Sequence, residues 1–200
     1  MKQSYKRLVI DSATKYLYIG LFDDTEMIEE SYEAGHNDHS VKLMSEIERI
    51  FMDNDITVSD LSEIIVGIGP GSYTGLRIGV VVAKMFGWNN NIPVKTVSSL
   101  ALMASRSDEK YVLAEIDARR GNSFLGLYIN DGKSLVLVDK EQLVNLEEFQ
   151  ASLEVPFVTV SEGKPNIAKI VSSNLLTLVE DIHNLNPNYL RITEAERNLN

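Results

Sequence analysis

Cysteine is absent from these 200 residues, which excludes disulfides, thiolate metal sites and cysteine nucleophiles and makes a reducing compartment the natural setting. Long apolar runs are missing as well. No stretch approaches the roughly 18 uninterrupted apolar residues of a membrane span. The N-terminal MKQSYKRLVID passes almost directly into a strand without a signal-peptide core. The expectation is a cytoplasmic protein that meets no membrane. Basic charge is scarce too: 19 Lys and Arg stand against 29 Asp and Glu, a formal charge of −10, and no Lys/Arg run exceeds two. Gripping nucleic acid requires a concentrated cationic surface, so this chain is not expected to do it unaided.

What is present suffices for a sizeable core. An apolar content of 44% in 200 residues fits one domain or two small lobes. Strands are expected at 7–11, 16–22 and 26–32, followed by a helix over 40–52. There Leu43, Met44, Ile47, Ile50 and Phe51 recur at spacings of three and four, with Asp38 or Ser40 as candidate caps. A strand at 63–68, a glycine loop, a helix over 75–88 and a strand at 93–97 follow. Strands alternating with helices imply an α/β sheet with parallel members. The second half offers strands at 111–117, 122–129, 135–138 and 157–160 and a helix over 166–180.

The two halves echo each other. IDSATKYLYIGL from Ile10 aligns with IDARRGNSFLGL from Ile116, with Asp and Gly nine positions apart in both, at an offset of 106 residues. Each copy reads as a strand ending in Asp, a tight turn and a returning strand. The division expected is two related α/β lobes, 1–105 and a smaller 106–200. Paired Asp-bearing hairpins characterise the sugar kinase, Hsp70 and actin superfamily, where they face a nucleotide cleft; that is an analogy of fold only.

VGIGPGSYTGLRIGV, residues 66–80, invites a phosphate-loop reading, but the familiar patterns fail. Leu76 and Arg77 follow Gly75 where a Walker A loop needs Lys and Ser or Thr. Ser72 and Thr74 stand where the dinucleotide fingerprint needs its last glycine. Pro70 and Thr74 flank Ser72 where a nucleophile elbow needs glycines. Ser72 or Thr74 is left as a helix cap, or as part of an anion site at the helix start. In the helix itself Gly75, Gly79, Ala83 and Gly87 fall every four residues, while Leu76, Val80, Val81, Val82, Met85, Phe86 and Trp88 leave little of the circumference polar. Such a helix is buried on two sides. The small-residue stripe favours a partner interface over purely internal packing.

Other candidates carry milder readings. Asp11 and Asp117 are placed to hold Mg²⁺ through water across a cleft, although Ser12-Ala13-Thr14 lacks a glycine for close approach to phosphate. His36 and His39 are three apart with no third ligand near in sequence, so no metal site is expected. Arg119 and Arg120 read as surface pairing residues.

Several segments resemble the TsaB (YeaZ) family of bacterial tRNA threonylcarbamoyladenosine synthesis: IDSATKYLYIGLF, His39-Ser40 at the first helix, GIGPGSYTGLRIGVVVAKMFGW, IPVKTVSSLALMA, EIDARRGNSFLGLY and NPNYLRITEAER. Asp11-Ser12-Ala13 departs from the usual Asp-Thr-Ser, Tyr73 from Phe and Val41 from Glu. The resemblance implies a two-lobed actin-like ATPase fold, of the Hsp70, sugar kinase and ribonuclease H-like class, with a reduced second lobe. It also implies a non-catalytic scaffold that dimerises with and stabilises TsaD, the subunit that transfers threonylcarbamoyl to N6 of adenosine 37 in tRNAs reading codons that begin with A. The small ATPase TsaE joins them. The family's contact is a bundle of the first two helices, which carries over to His39, Leu43, Ile47, Ile50 and Phe51 and to Gly75, Leu76, Gly79, Val82, Ala83 and Phe86. Asp11, Ser72, Thr74 and Asp117 become vestigial nucleotide or anion contacts. No cofactor belongs to the chain itself, ATP and Mg²⁺ belong to the assembled complex, tRNA is met through that complex, and the isolated chain is a candidate homodimer. The rival is a weak ATPase or nucleotide-binding enzyme acting through Asp11 and Asp117. For the peptidase of older labels the chain offers neither an activated nucleophile nor an open metal site.

Overall fold

The fold is taken from a computed structural model, which describes residues 4–35 and 39–190, with only the backbone at His39 and Ser40. Lys6–Asp11 (β1) and Tyr16–Asp23 (β2) form an antiparallel hairpin, and Glu26–Ala34 (β3) pairs antiparallel with β2. Helix His39–Asp53 (α1) then leads to Leu61–Gly67 (β4), parallel to β1, and helix Tyr73–Asn90 (α2) leads to Val94–Val97 (β5), parallel to β4. Long crossover helices are what parallel neighbours demand.

Helix Ser99–Ala104 (α3) opens the second half. Tyr111–Asp117 (β6) and Asn122–Asn130 (β7) make a second antiparallel hairpin; Leu135–Leu137 (β8) and Gln142–Asn145 (β9) both pair with β7. After helix Leu146–Ser152 (α4), Val158–Val160 (β10) pairs parallel with β6, and helix Ile167–Ser172 (α5) follows. The order β8-β7-β6-β10 repeats β3-β2-β1-β4 of the first sheet and stops before a counterpart of β5. A duplicated, truncated sheet of this order is the actin-like, ribonuclease H-like architecture with a reduced second lobe.

Strand alternation explains the layers. Leu8 and Ile10 face α1 and α2 in one apolar cluster, while Val9 points the other way into a second cluster with α3, β6 and β7. The first sheet is therefore covered by two long helices on one face and by the second half of the molecule on the other. Helix α3, whose six residues are all buried, was not foreseen because a short, wholly apolar segment has no readable period.

The helix expected over 166–180 ends at Ser172, and the chain then departs from it. Thr177–Leu178 (β11) pairs antiparallel with β5, completing the order β11-β5-β4-β1-β2-β3. The Val179 amide donates to Val94 O (2.9 Å), and Leu185 enters the first cluster. Residues 99–104 thus pack into the second cluster and residues 177–185 with the first.

Candidate functional site

The glycine loop is a brace. Ser72 caps α2, its Oγ accepting from Gly75 N at 3.2 Å, which satisfies one of the helix's orphan donors. Ser72 N donates to Ala13 O (2.7 Å), Ser99 N donates to Gly69 O (2.9 Å), and Gly69 N donates to Ser99 Oγ (3.1 Å). Gly69 and Gly71 hold φ of 106° and 154°, and a Cβ at Gly71 would collide with Ala13 O. The loop ties the β1–β2 turn to the start of α3, and Asn188 N, donating to Ile68 O at 2.7 Å, ties the returning C-terminal segment to the same place. Thr74 is exposed beside this turn.

The small-residue stripe serves internal packing, which overturns the expectation that it faces a partner. A Cβ on Gly75 would strike Ser12 O, one on Gly79 would lie 2.6 Å from Ser12 Oγ, and one on Gly87 would lie 2.5 Å from Val94 Cγ2. Ser12 Oγ donates to Gly75 O at 2.8 Å, a buried bond that only this close approach allows. Leu43, Ile47, Ile50 and Phe51 of α1, with Leu76, Val82, Ala83 and Phe86 of α2, are buried as well, so the expected interface residues form the side facing the sheet. His39 was expected with them, and its side chain lies outside the described residues.

The opposite side of the same helices is open and carries several exposed apolar side chains among charged ones such as Arg77, Glu48 and Arg49. Tyr73 (56% exposed), Val81 (60%), Met85 (40%) and Trp88 (58%) run along α2, and Val41 (74%) and Met44 (39%) lie on the adjacent α1. The C-terminal segment decorates its flank: Arg77 Nε donates to Tyr189 OH (3.0 Å), the guanidinium sits 4.0 Å over the Tyr73 ring, and Trp88 meets His183 edge-on at 4.1 Å. Lys84 Nζ holds that segment by donating to His183 O (2.8 Å) and Leu185 O (3.2 Å). These surface residues were missed as site residues. The signal was available, because Val81, Met85 and Trp88 keep helical spacing opposite the stripe of Gly75, Gly79, Ala83 and Gly87.

Asp11 and Asp117 end the two hairpins but live in different surroundings. Asp11 Oδ1 accepts from Ser99 Oγ (2.8 Å) and Ala13 N (3.2 Å) and lies against Gly67, where a Cβ would approach to 2.5 Å. The residue keeps some surface while its carboxyl is enclosed, and burial pushes that carboxyl up to about 6. Asp117 is exposed and its Oδ1 accepts from Arg119 N at 2.7 Å. The space beside Asp11, bounded by Thr14, Tyr16, Tyr32, Met103 and Gly163, is about 20 Å³, whereas small-molecule sites run from about 300 Å³ upward. Gly163 N donates to Tyr32 OH (2.7 Å), Tyr16 stacks on Tyr32 at 4.6 Å, and Lys164 pairs with Glu30 at 2.7 Å, so the cleft is latched shut. Among the described residues no three acidic or histidine side chains are placed to hold a metal ion.

Comparison with known proteins gives concordant matches. The family model for TsaD, tRNA N6-adenosine threonylcarbamoyltransferase, matches residues 32–188. The tRNA threonylcarbamoyladenosine biosynthesis protein TsaB of Bacillus subtilis is 32% identical, over 94% of this chain and 95% of its own, and that of Escherichia coli is 30% identical, over 78% and 71%. Among solved structures, YeaZ from Pseudomonas aeruginosa superposes with a TM-score of 0.69 at 23% identity, covering 80% of this chain and 82% of that one. An uncharacterized protein with similarity to peptidase YeaZ from Pseudomonas aeruginosa reaches 0.77 at 21% identity, covering 94% and 100%. These two structures speak for the fold alone.

Proposed function

The chain belongs to the TsaB family of tRNA threonylcarbamoyladenosine biosynthesis proteins, and from that membership we propose that it is a non-catalytic subunit which docks on and stabilises the threonylcarbamoyltransferase TsaD. The open apolar face of α2, from Tyr73 through Val81 and Met85 to Trp88, carries this reading. Four large apolar side chains exposed along one helix face, with Arg77 among them, are more than the scattered single exposures usual on a protein that works alone. The inward side of both helices is already filled by the sheet, so this outer side is left to be covered.

The relationship of this chain to the TsaD family model supports a partner of like architecture. Two related subunits can set equivalent helix pairs against each other about a pseudo-twofold axis, the arrangement of isologous contacts in homodimers. A second copy of this chain would use the same face when TsaD is missing. The reading assigns ATP, Mg²⁺ and the ATPase TsaE to the assembled complex, with tRNA met there, and it assigns the chain to the cytoplasm. The space beside Asp11, about 20 Å³, is too small for a nucleotide at that carboxylate, which supports the reading that Asp11 is not a working nucleotide contact in the isolated chain.

The test is activity in separated and mixed samples. Threonylcarbamoyl transfer to tRNA is expected only when this chain and its cognate TsaD are combined with TsaE, and ATP turnover by this chain alone is expected at background. Turnover by the isolated chain that is lost in Asp11→Asn would favour the enzyme instead.

A further inference from the structure

A second space between the two halves differs sharply from the one beside Asp11. It measures about 370 Å³, within the range of small-molecule sites. Ser98 and Ala101 bound it on one side, Tyr128, Leu137, Lys140 and Glu141 on the other, and Leu175, Asn188 and Leu190 close it. Ser98 follows the carboxyl end of β5, and Asn188 is bonded to Ile68 at the carboxyl end of β4. Open α/β sheets accept ligands at this edge, beyond the carboxyl ends of parallel strands.

Its chemistry is two-sided. The walls are apolar, yet a carboxylate and an ammonium adjacent in sequence both line it. Glu141 is fixed: Tyr128, fully buried, donates its hydroxyl to Glu141 Oε1 at 2.6 Å, and Ser98 lines the same crevice. Among the described residues, Lys95, Lys164, Lys169, Arg7 and Arg49 take other carboxylates, and neither Glu141 nor Lys140 is in an ion pair. We propose that this crevice binds a small zwitterion of α-amino acid type with an apolar side chain, its ammonium on Glu141, its carboxylate on Lys140 and its side chain against Leu137, Leu175 and Leu190.

Each charge contributes to the choice. Burial pushes the Glu141 carboxyl up, and an ammonium beside it offsets that cost. A simple anion meets Glu141 with repulsion, and a simple cation leaves Lys140 unmatched. The zwitterion satisfies both while displacing water from apolar walls.

The experiment is a backbone amide NMR titration of the full chain with L-norleucine as probe, alongside L-norleucinamide, which lacks the carboxylate, and hexanoate, which lacks the ammonium. Saturable shifts at Ala101, Tyr128 and Leu137 are expected with norleucine, and several-fold weaker binding with either control. Lys140→Ala, at an exposed position, should weaken norleucine without weakening norleucinamide; Glu141→Gln should weaken norleucine without weakening hexanoate. If Glu141→Gln does not fold, the Lys140→Ala pair of titrations decides. No saturable shift, an equal response to all three probes, or a control that binds more tightly than norleucine overturns the proposal.

Discussion

Gly79 lies so close to Ser12 that a single added carbon would sit 2.6 Å from the serine Oγ, which is itself engaged with Gly75 O. The contact fixes how near α2 can come to the end of β1, and with it the height of the open face above the sheet. Gly79→Leu should therefore destabilise the chain by about 3 kcal/mol or more through overpacking and loss of the buried bond. Urea unfolding checks this, and Ser12→Gly in the Gly79→Ala background should recover part of the loss.

The protein has one tryptophan, and it stands on that face with 58% exposure. Covering it with a partner removes water from the indole, so the emission of Trp88 should move to shorter wavelength and resist acrylamide quenching when TsaD is added. An unchanged spectrum in a demonstrated complex would place the contact elsewhere.

The Asp11 carboxyl gives a pH signature. Its folded value of about 6 lies above the roughly 3.9 of an unfolded aspartate, so the folded state binds the proton more tightly. Stability from this group is complete below pH 4 and is lost as the pH rises toward and through 6. Asp11→Asn keeps an acceptor for Ser99 and Ala13 while abolishing the charge. It should gain up to about 3 kcal/mol over the parent chain at pH 8, and that gain should vanish near pH 4. Unfolding midpoints measured across this range decide the sign.

At the opposite end of the sheet, Glu63 is buried between Arg7 (2.8 Å) and Lys95 (2.6 Å). Glu63→Ala leaves the buried Arg7 guanidinium short of its partner, although Asp24 still reaches it at 2.6 Å. Breaking such a pair from one side costs about 3–5 kcal/mol. Arg7→Met with Glu63→Leu should cost less than Glu63→Ala, as unfolding by urea can show.

Much of this fold was legible in the sequence, and the reason is periodicity. The helix expected over 40–52 is α1, and the strand expected at 111–117 is β6 residue for residue. The Asp-to-Gly repeat is a true pair of hairpins, with one difference: Asp11 pairs with Tyr18, seven positions on, and Asp117 with Ser123, six on. The sequence could not show that residues 177–178 leave a helical pattern to pair with β5, since that partner lies some 80 residues earlier. It also did not orient α2. A helix apolar on nearly every side has no polar face to mark solvent, so the stripe of glycines was read as outward when it packs on Ser12 and Val94. Of the two cap candidates, Ser72 and Thr74, Ser72 is the cap, because the helix begins at Tyr73, two residues earlier than expected, and takes Thr74 inside it.

The most direct measurement is light scattering after size-exclusion chromatography of this chain with cognate TsaD, comparing the parent sequence with Val81→Asp. Val81 is 60% exposed on the outer face, so the substitution should change folding stability by no more than about 0.5 kcal/mol. A stable complex is expected for the parent chain and separate species for the variant, with threonylcarbamoyl transfer lost in step. A folded Val81→Asp chain that still forms the complex and supports transfer would contradict docking through this face.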